Sequence, residues 1–74
     1  MAKYFIINHL GTTYAVEADY FIAEPFSDDN SNEMITFIVK DEQADTIGKT
    51  RRVAMFNKSH IIGLFDSNHV HVEQ

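Results

Sequence analysis

The 74-residue chain sets eleven aspartates and glutamates against six lysines and arginines, a formal net charge of −5, with four histidines and no cysteine. A chain this short buries only about 60% of the surface its unfolded form exposes, so residues 1–74 hold one small domain at most. The missing cysteine excludes disulfides, thiolate metal sites and Cys nucleophiles, and the acidic balance argues against a general binder of nucleic-acid phosphates.

The opening MAKYFIINHL has one lysine and a four-residue apolar run, too short for a signal peptide or for a membrane helix of about 20 residues. A soluble, cytoplasmic protein is expected, in the host cytoplasm if a phage encodes it. KYFIIN is rich in aromatic and β-branched residues, and HLGT supplies Gly11 for a turn, so Lys3–His9 and Thr12–Ala23 read as a hairpin. In TYAVEADYFI the period is two: Tyr14, Val16, Ala18, Tyr20 and Ile22 share one face, and Thr13, Ala15, Glu17, Asp19 and Phe21 the other. EPFSDDNSN is a loop built on Pro25 and turn formers. MITFIVK is a third strand with Ile35, Phe37 and Val39 on one face, and Phe37 is a candidate core residue. DEQADTIGK is a second polar connection with room for one short helical turn. TRRVAMFN and HIIGLF read as a fourth and a fifth strand, DSN as a turn, and HVHVE as a short sixth strand. No stripe of period 3.6 is present, and the two acidic loops are the only stretches expected to be disordered. The fold class is therefore all-β or nearly so: a small antiparallel meander, a strongly bent sheet or an SH3-like barrel of five to six strands.

The charges are unevenly placed. Glu17, Asp19, Glu24, Asp28, Asp29, Glu33, Asp41, Glu42 and Asp45 face only Lys40 in their stretch, whereas Lys49, Arg51, Arg52 and Lys58 follow with no acid among them. The acids are a candidate surface for a protein partner, with a host nucleic-acid-binding complex as the fitting kind, because carboxylates can replace phosphates on a basic surface. The basic stretch is the alternative, a contact for nucleic acid, with Phe56 and Tyr4 as possible stacking platforms. It ranks behind the protein partner, since Phe56 shares a face with Ala54 and reads as core.

Among catalytic and metal patterns, the simpler reading wins each time. His69 and His71 stand on one face of the last strand, as does Glu73, but a metal there needs a third ligand from His9, His60 or Asp66. The plainer arrangement puts Val70 and Val72 inward and the polar residues in water, so no metal and no cofactor are expected. Ser59 and His60 are adjacent and would point apart in a strand, which spoils a nucleophile–base pair. Glu17 and Asp19 could share a proton on one strand face, but a solvated face explains them. Gly11, Gly48 and Gly63 are isolated and form no phosphate loop. A non-enzyme is expected. Consecutive aromatics such as Tyr4–Phe5 and Tyr20–Phe21, and Ile61, Ile62, Leu64 and Phe65 around Gly63, make strands apolar on both sides. Such strands leave apolar surface for another chain, including a second copy in a homodimer.

The succession VEADYF, ITFIV and RRVAMFNKSHIIGL, over residues 12–65, resembles small β-sheet proteins encoded by bacteria and their phages. The resemblance implies a meander sheet and a phage or mobile-element setting. Small acidic phage proteins without catalytic motifs often act by occluding host machines, CRISPR effectors and other defence complexes among them, so an inhibitor of the anti-CRISPR kind is expected. It carries no functional residue to this chain. Small oligomeric assembly proteins are the third class that the composition fits.

Overall fold

A computed structural model of the chain describes residues 1–25 and 33–68. They form six strands: β1 Ala2–Asn8, β2 Thr13–Ala18, β3 Tyr20–Pro25, β4 Glu33–Lys40, β5 Thr50–Asn57 and β6 Ile61–Asp66. A 3-10 turn, Lys58–His60, joins β5 to β6. The strands make two three-stranded antiparallel sheets, ordered β2-β1-β6 and β3-β4-β5. The all-β expectation is met, and the strong bend has a definite place.

That place is Asp19. The reading of Thr12–Ala23 as one strand is corrected here: Ala18 ends β2 in the first sheet and Tyr20 begins β3 in the second. The Asp19 N–H donates to the Ile38 carbonyl at 2.9 Å, and its Oδ2 accepts from the Lys40 N–H at 2.7 Å. Both ends of this residue therefore hold the end of β4, and the chain turns the corner there. The kink also changes the phase of the pattern. Before it, Val16 and Ala18 face the core; after it, Phe21 does, its ring 5.8 Å from Phe37, while Tyr20 and Ile22 fall on the opposite face. Glu17 and Asp19 accordingly do not share a strand face as a carboxylate pair.

The other connections follow from local chemistry. Between β1 and β2, Asn8 Oδ1 accepts from the N–H groups of Leu10 (3.0 Å) and Thr12 (2.9 Å), and Gly11 takes φ +86°, a region in which a side chain is strained. Asn57 caps the 3-10 turn: its Oδ1 accepts from the Ser59 N–H at 3.0 Å and the Ser59 hydroxyl at 2.8 Å. Pro25 sits on β3, an edge strand, where a missing N–H does no harm. Between β4 and β5, Phe37 lies opposite Ala54 and Ile38 opposite Arg52, so Val53 is the extra residue of a β-bulge. β6 does not extend a meander from β5; it returns to pair with β1, Phe5 opposite Phe65. A chain that passes from one sheet to the other at the β2–β3 corner, a 3-10 turn and β6 returned to β1 give the SH3-like arrangement among the expected alternatives.

The helical turn expected within 41–49 is absent. That loop is nonetheless ordered by backbone hydrogen bonds from Asp41 N–H to Lys49 O (2.7 Å), Ala44 N–H to Asp41 O (3.0 Å) and Lys49 N–H to Thr46 O (3.1 Å). The expected sixth strand, HVHVE, and most of the loop after Pro25 lie outside the described residues.

The core lies between the sheets. Tyr4, Ile6 and Ala18 meet Ile35 and Phe37, with Val16, Val39, Ala54, Phe56 and Leu64 packed around them. Phe37 is fully buried, as the pattern of its strand requires. Its ring lies 5.2 Å from Tyr4 across the gap and 5.9 Å, edge-on, from Phe56 beside it. Tyr4 meets Phe21 at 5.5 Å and Tyr14 meets Phe56 at 5.3 Å, again between sheets. Edge and tilted aromatic pairs of this kind contribute about 0.5–1.5 kcal/mol each beyond the area they bury.

Candidate functional site

Both sheets have an outer face, and the two are finished differently. On the β3-β4-β5 sheet the outward residues of β4 are Thr36 and Ile38, yet Thr36 is fully buried and Ile38 nearly so. Their register neighbours explain this: Thr36 lies between Ile22 and Met55, and Ile38 between Tyr20 and Arg52. Long side chains from both edges close over the central strand. Above Thr36 they are tied together, since Arg52 Nε and Nη2 donate to Glu24 Oε1 (3.0 Å) and Oε2 (2.9 Å). The Thr36 hydroxyl donates to the same Oε1 at 2.8 Å. The Arg52 hydrogen bond, then that of Thr36, holds the Glu24 carboxyl below its ordinary pKa, and Glu24 raises that of Arg52.

On the β2-β1-β6 sheet the outward residues of β1 are Lys3, Phe5 and Ile7. Phe5 lies between Ala15 and Phe65, and Ile7 between Thr13 and Gly63. Small neighbours cannot cover them. A Cβ placed on Gly63 would lie 3.2 Å from the Phe65 ring and 3.5 Å from Ile7 Cδ1, so that ring lies over the glycine toward Ile7. Phe65 remains 37% exposed and Ala15 is exposed, while Phe5 and Ile7 are half-buried. Lys3 and Glu17 sit opposite each other at one end of the face. The face is thus apolar, with one opposite-charge pair at its end.

The predicted charged residues are dispersed. Glu24 binds Arg52, Glu33 Oε2 lies 2.9 Å from Lys58 Nζ, and Asp41 Oδ2 lies 3.8 Å from Arg51 Nε. Three of the four basic candidates thus face three of the acidic ones. Asp19 is the corner residue, half-buried. Asp41 also shapes its turn, Oδ1 accepting from the Gln43 N–H at 2.9 Å. Lys49, with φ +53°, directs its Nζ to the Ala44 carbonyl at 3.3 Å. Glu17, Glu42 and Asp45 are exposed, and Ile47 beside the latter two is fully so. Asp28 and Asp29, like His69 and His71, lie outside the described residues.

The sequence offers His9 and His60 only as alternative third ligands beside His69 and His71. The structure brings their rings together, centroids 4.8 Å apart and tilted by 45°. His60 ends the 3-10 turn rather than opening a strand. Periodicity carries no signal for this pairing, which depends on β6 returning beside β1. Among the described residues no group of three or more histidines, aspartates or glutamates is placed to hold a metal ion, and no helix is long and apolar enough to cross a membrane. Comparison with protein-family models, curated proteins and solved structures gave no match.

Proposed function

We propose that the chain is a non-enzymatic protein-binding module that docks through the outer face of the β2-β1-β6 sheet. The observation that supports this is the apolar set of exposed Phe65 with half-buried Phe5 and Ile7, flanked by the small residues Ala15 and Gly63. An aromatic anchor amid aliphatic surface, bordered by Lys3 and Glu17, fits the pattern of a small interface centre. The finer form of the reading is a phage-type inhibitor that occludes a host nucleoprotein or defence complex. In that form Glu17 on the face, with Glu42 and Asp45 on the 41–49 loop, would meet basic protein surface. Glu24, Glu33 and Asp41 contribute less, because Arg52, Lys58 and Arg51 already neutralise them. The same pairing weakens the nucleic-acid alternative, since a phosphate would have to displace a carboxylate.

The test is affinity capture from host lysate with wild type, Phe65→Lys and Met55→Lys, with light scattering on each. A partner retained by Met55→Lys and lost by Phe65→Lys supports the face. Equal capture by both variants overturns it. A stable oligomer with no captured partner assigns the face to self-assembly instead. For the inhibitor form, affinity should fall steeply as salt rises, and salt-insensitive binding removes the role of the acids.

A further inference from the structure

The paired histidines, His9 and His60, occupy a built position. His9 follows Asn8, whose side chain pins the β1–β2 turn, and His60 follows Ser59, which Asn57 pins in the 3-10 turn. The two turns are joined directly, His9 N–H donating to the His60 carbonyl at 2.8 Å. Both residues are exposed, so neither ring is placed there by a need to bury it. The rings are tilted by 45°, with centroids 4.8 Å apart. Two imidazoles on one tetrahedral zinc, at Zn–N distances of about 2.0 Å, have centroids about 5 Å apart. The centroid separation found here, 4.8 Å, is close to that value.

We propose that His9 and His60 form a two-imidazole chelate for a borderline divalent metal ion: zinc, nickel or copper(II). Paired nitrogen donors select these ions over magnesium and calcium, which prefer oxygen. Two protein ligands leave two or more coordination positions for water or for a donor from another molecule. The bound ion joins residue 9 to residue 60 across two turns, a cross-link in a chain with no cysteine to supply one. It acts as a staple at the end of the molecule where β6 returns to β1.

The experiment is titration of the full chain with zinc, nickel, copper(II) and calcium, read by calorimetry and by the ring resonances of the histidines with zinc. The variants are His9→Phe, His60→Phe and the double variant His69→Ala/His71→Ala. Phenylalanine keeps an aromatic ring at the position and removes the nitrogens, so loss of binding in a folded variant reports ligation and not packing. The expected result is binding in the order copper(II) above nickel and zinc, with calcium absent. The resonances of His9 and His60 should move together with zinc. Each phenylalanine variant should lose about tenfold or more in affinity, as the second donor of a chelate is removed, and the double alanine variant should keep wild-type affinity. Zinc binding that keeps wild-type affinity in either phenylalanine variant, that disappears in the double alanine variant, or that calcium matches would overturn the proposal. So would no binding at all.

Discussion

The strands β1 and β4 each run down the middle of a three-stranded sheet, and they end up in different environments. β4 is buried on both sides, Ile35, Thr36, Phe37 and Ile38 in succession. β1 alternates, with Tyr4 and Ile6 buried and Lys3, Phe5 and Ile7 not. Phe5 and Ile7 are together more apolar than Thr36 and Ile38, so the hydrophobicity of the outward residues does not explain the difference. The neighbours do. Ile22, Met55, Tyr20 and Arg52 flank the outward positions of β4, whereas Ala15, Thr13 and Gly63 flank three of the four sides of Phe5 and Ile7. A sheet closes its own outer face when its edge strands carry long side chains, and stays open when they carry small ones.

The largest test of this contrast lies between the sheets. Phe37→Ala should cost about 3–5 kcal/mol in denaturant unfolding, as for other large buried aromatics. A domain this small has roughly 5 kcal/mol in total, so the variant sits near its unfolding midpoint in water. Phe65→Ala, on the open face, should cost about 1 kcal/mol. Equal losses would erase the distinction between the two regions. Next in size is Thr36→Val, which keeps the shape of the buried residue and removes its hydrogen bond to Glu24. It should cost about 1 kcal/mol, and a stabilised variant would mean that the covered face does not depend on that bond.

Smaller still is an attempt to close the open face. Ala15→Ile sets a branched side chain opposite Phe5 and should stabilise by about 0.5 kcal/mol while lowering the binding of an apolar fluorescent dye. Unchanged dye binding would place the open surface elsewhere. The smallest effect concerns the bracket of Glu24 and Arg52, a partly exposed pair discounted for screening. The Glu24 carboxyl is held below its unfolded value, so its contribution is complete above about pH 4.3 and is lost as pH falls through the lower folded value. Glu24→Gln should therefore melt below wild type at pH 7, and the gap should narrow as pH drops below 4. A constant gap would show that the charge is not what matters.

The sequence made the strands legible because alternation survives within each one, and it made Phe37 legible because Ile35 and Val39 flank it at the same phase. It did not reveal the corner at Asp19. The same alternation runs through both sides of the kink, and only the hydrogen bonds to Ile38 and Lys40 reverse which residues face inward. Charge runs were visible too, but their meaning was not. Glu24 and Arg52 are far apart in the chain and meet only because β3 and β5 flank the same strand. The open face could be anticipated from consecutive apolar residues, whereas its location depended on the register that sets Phe5 beside Ala15 and Phe65.

The return of β6 to β1 also has a consequence for how the chain acquires its fold during synthesis. The β3-β4-β5 sheet is drawn from one continuous stretch and can pair as soon as Asn57 has emerged. The other sheet cannot, because its central strand is made first and one of its two partners last, with Tyr4 opposite Asp66. Until β6 arrives, β1 has one bare edge beside the apolar residues Phe5 and Ile7. Closing so long a loop is slow relative to local pairing. A nascent or truncated chain thus exposes a strand edge able to recruit a strand from any neighbour, and β6 closes that edge when it pairs with β1.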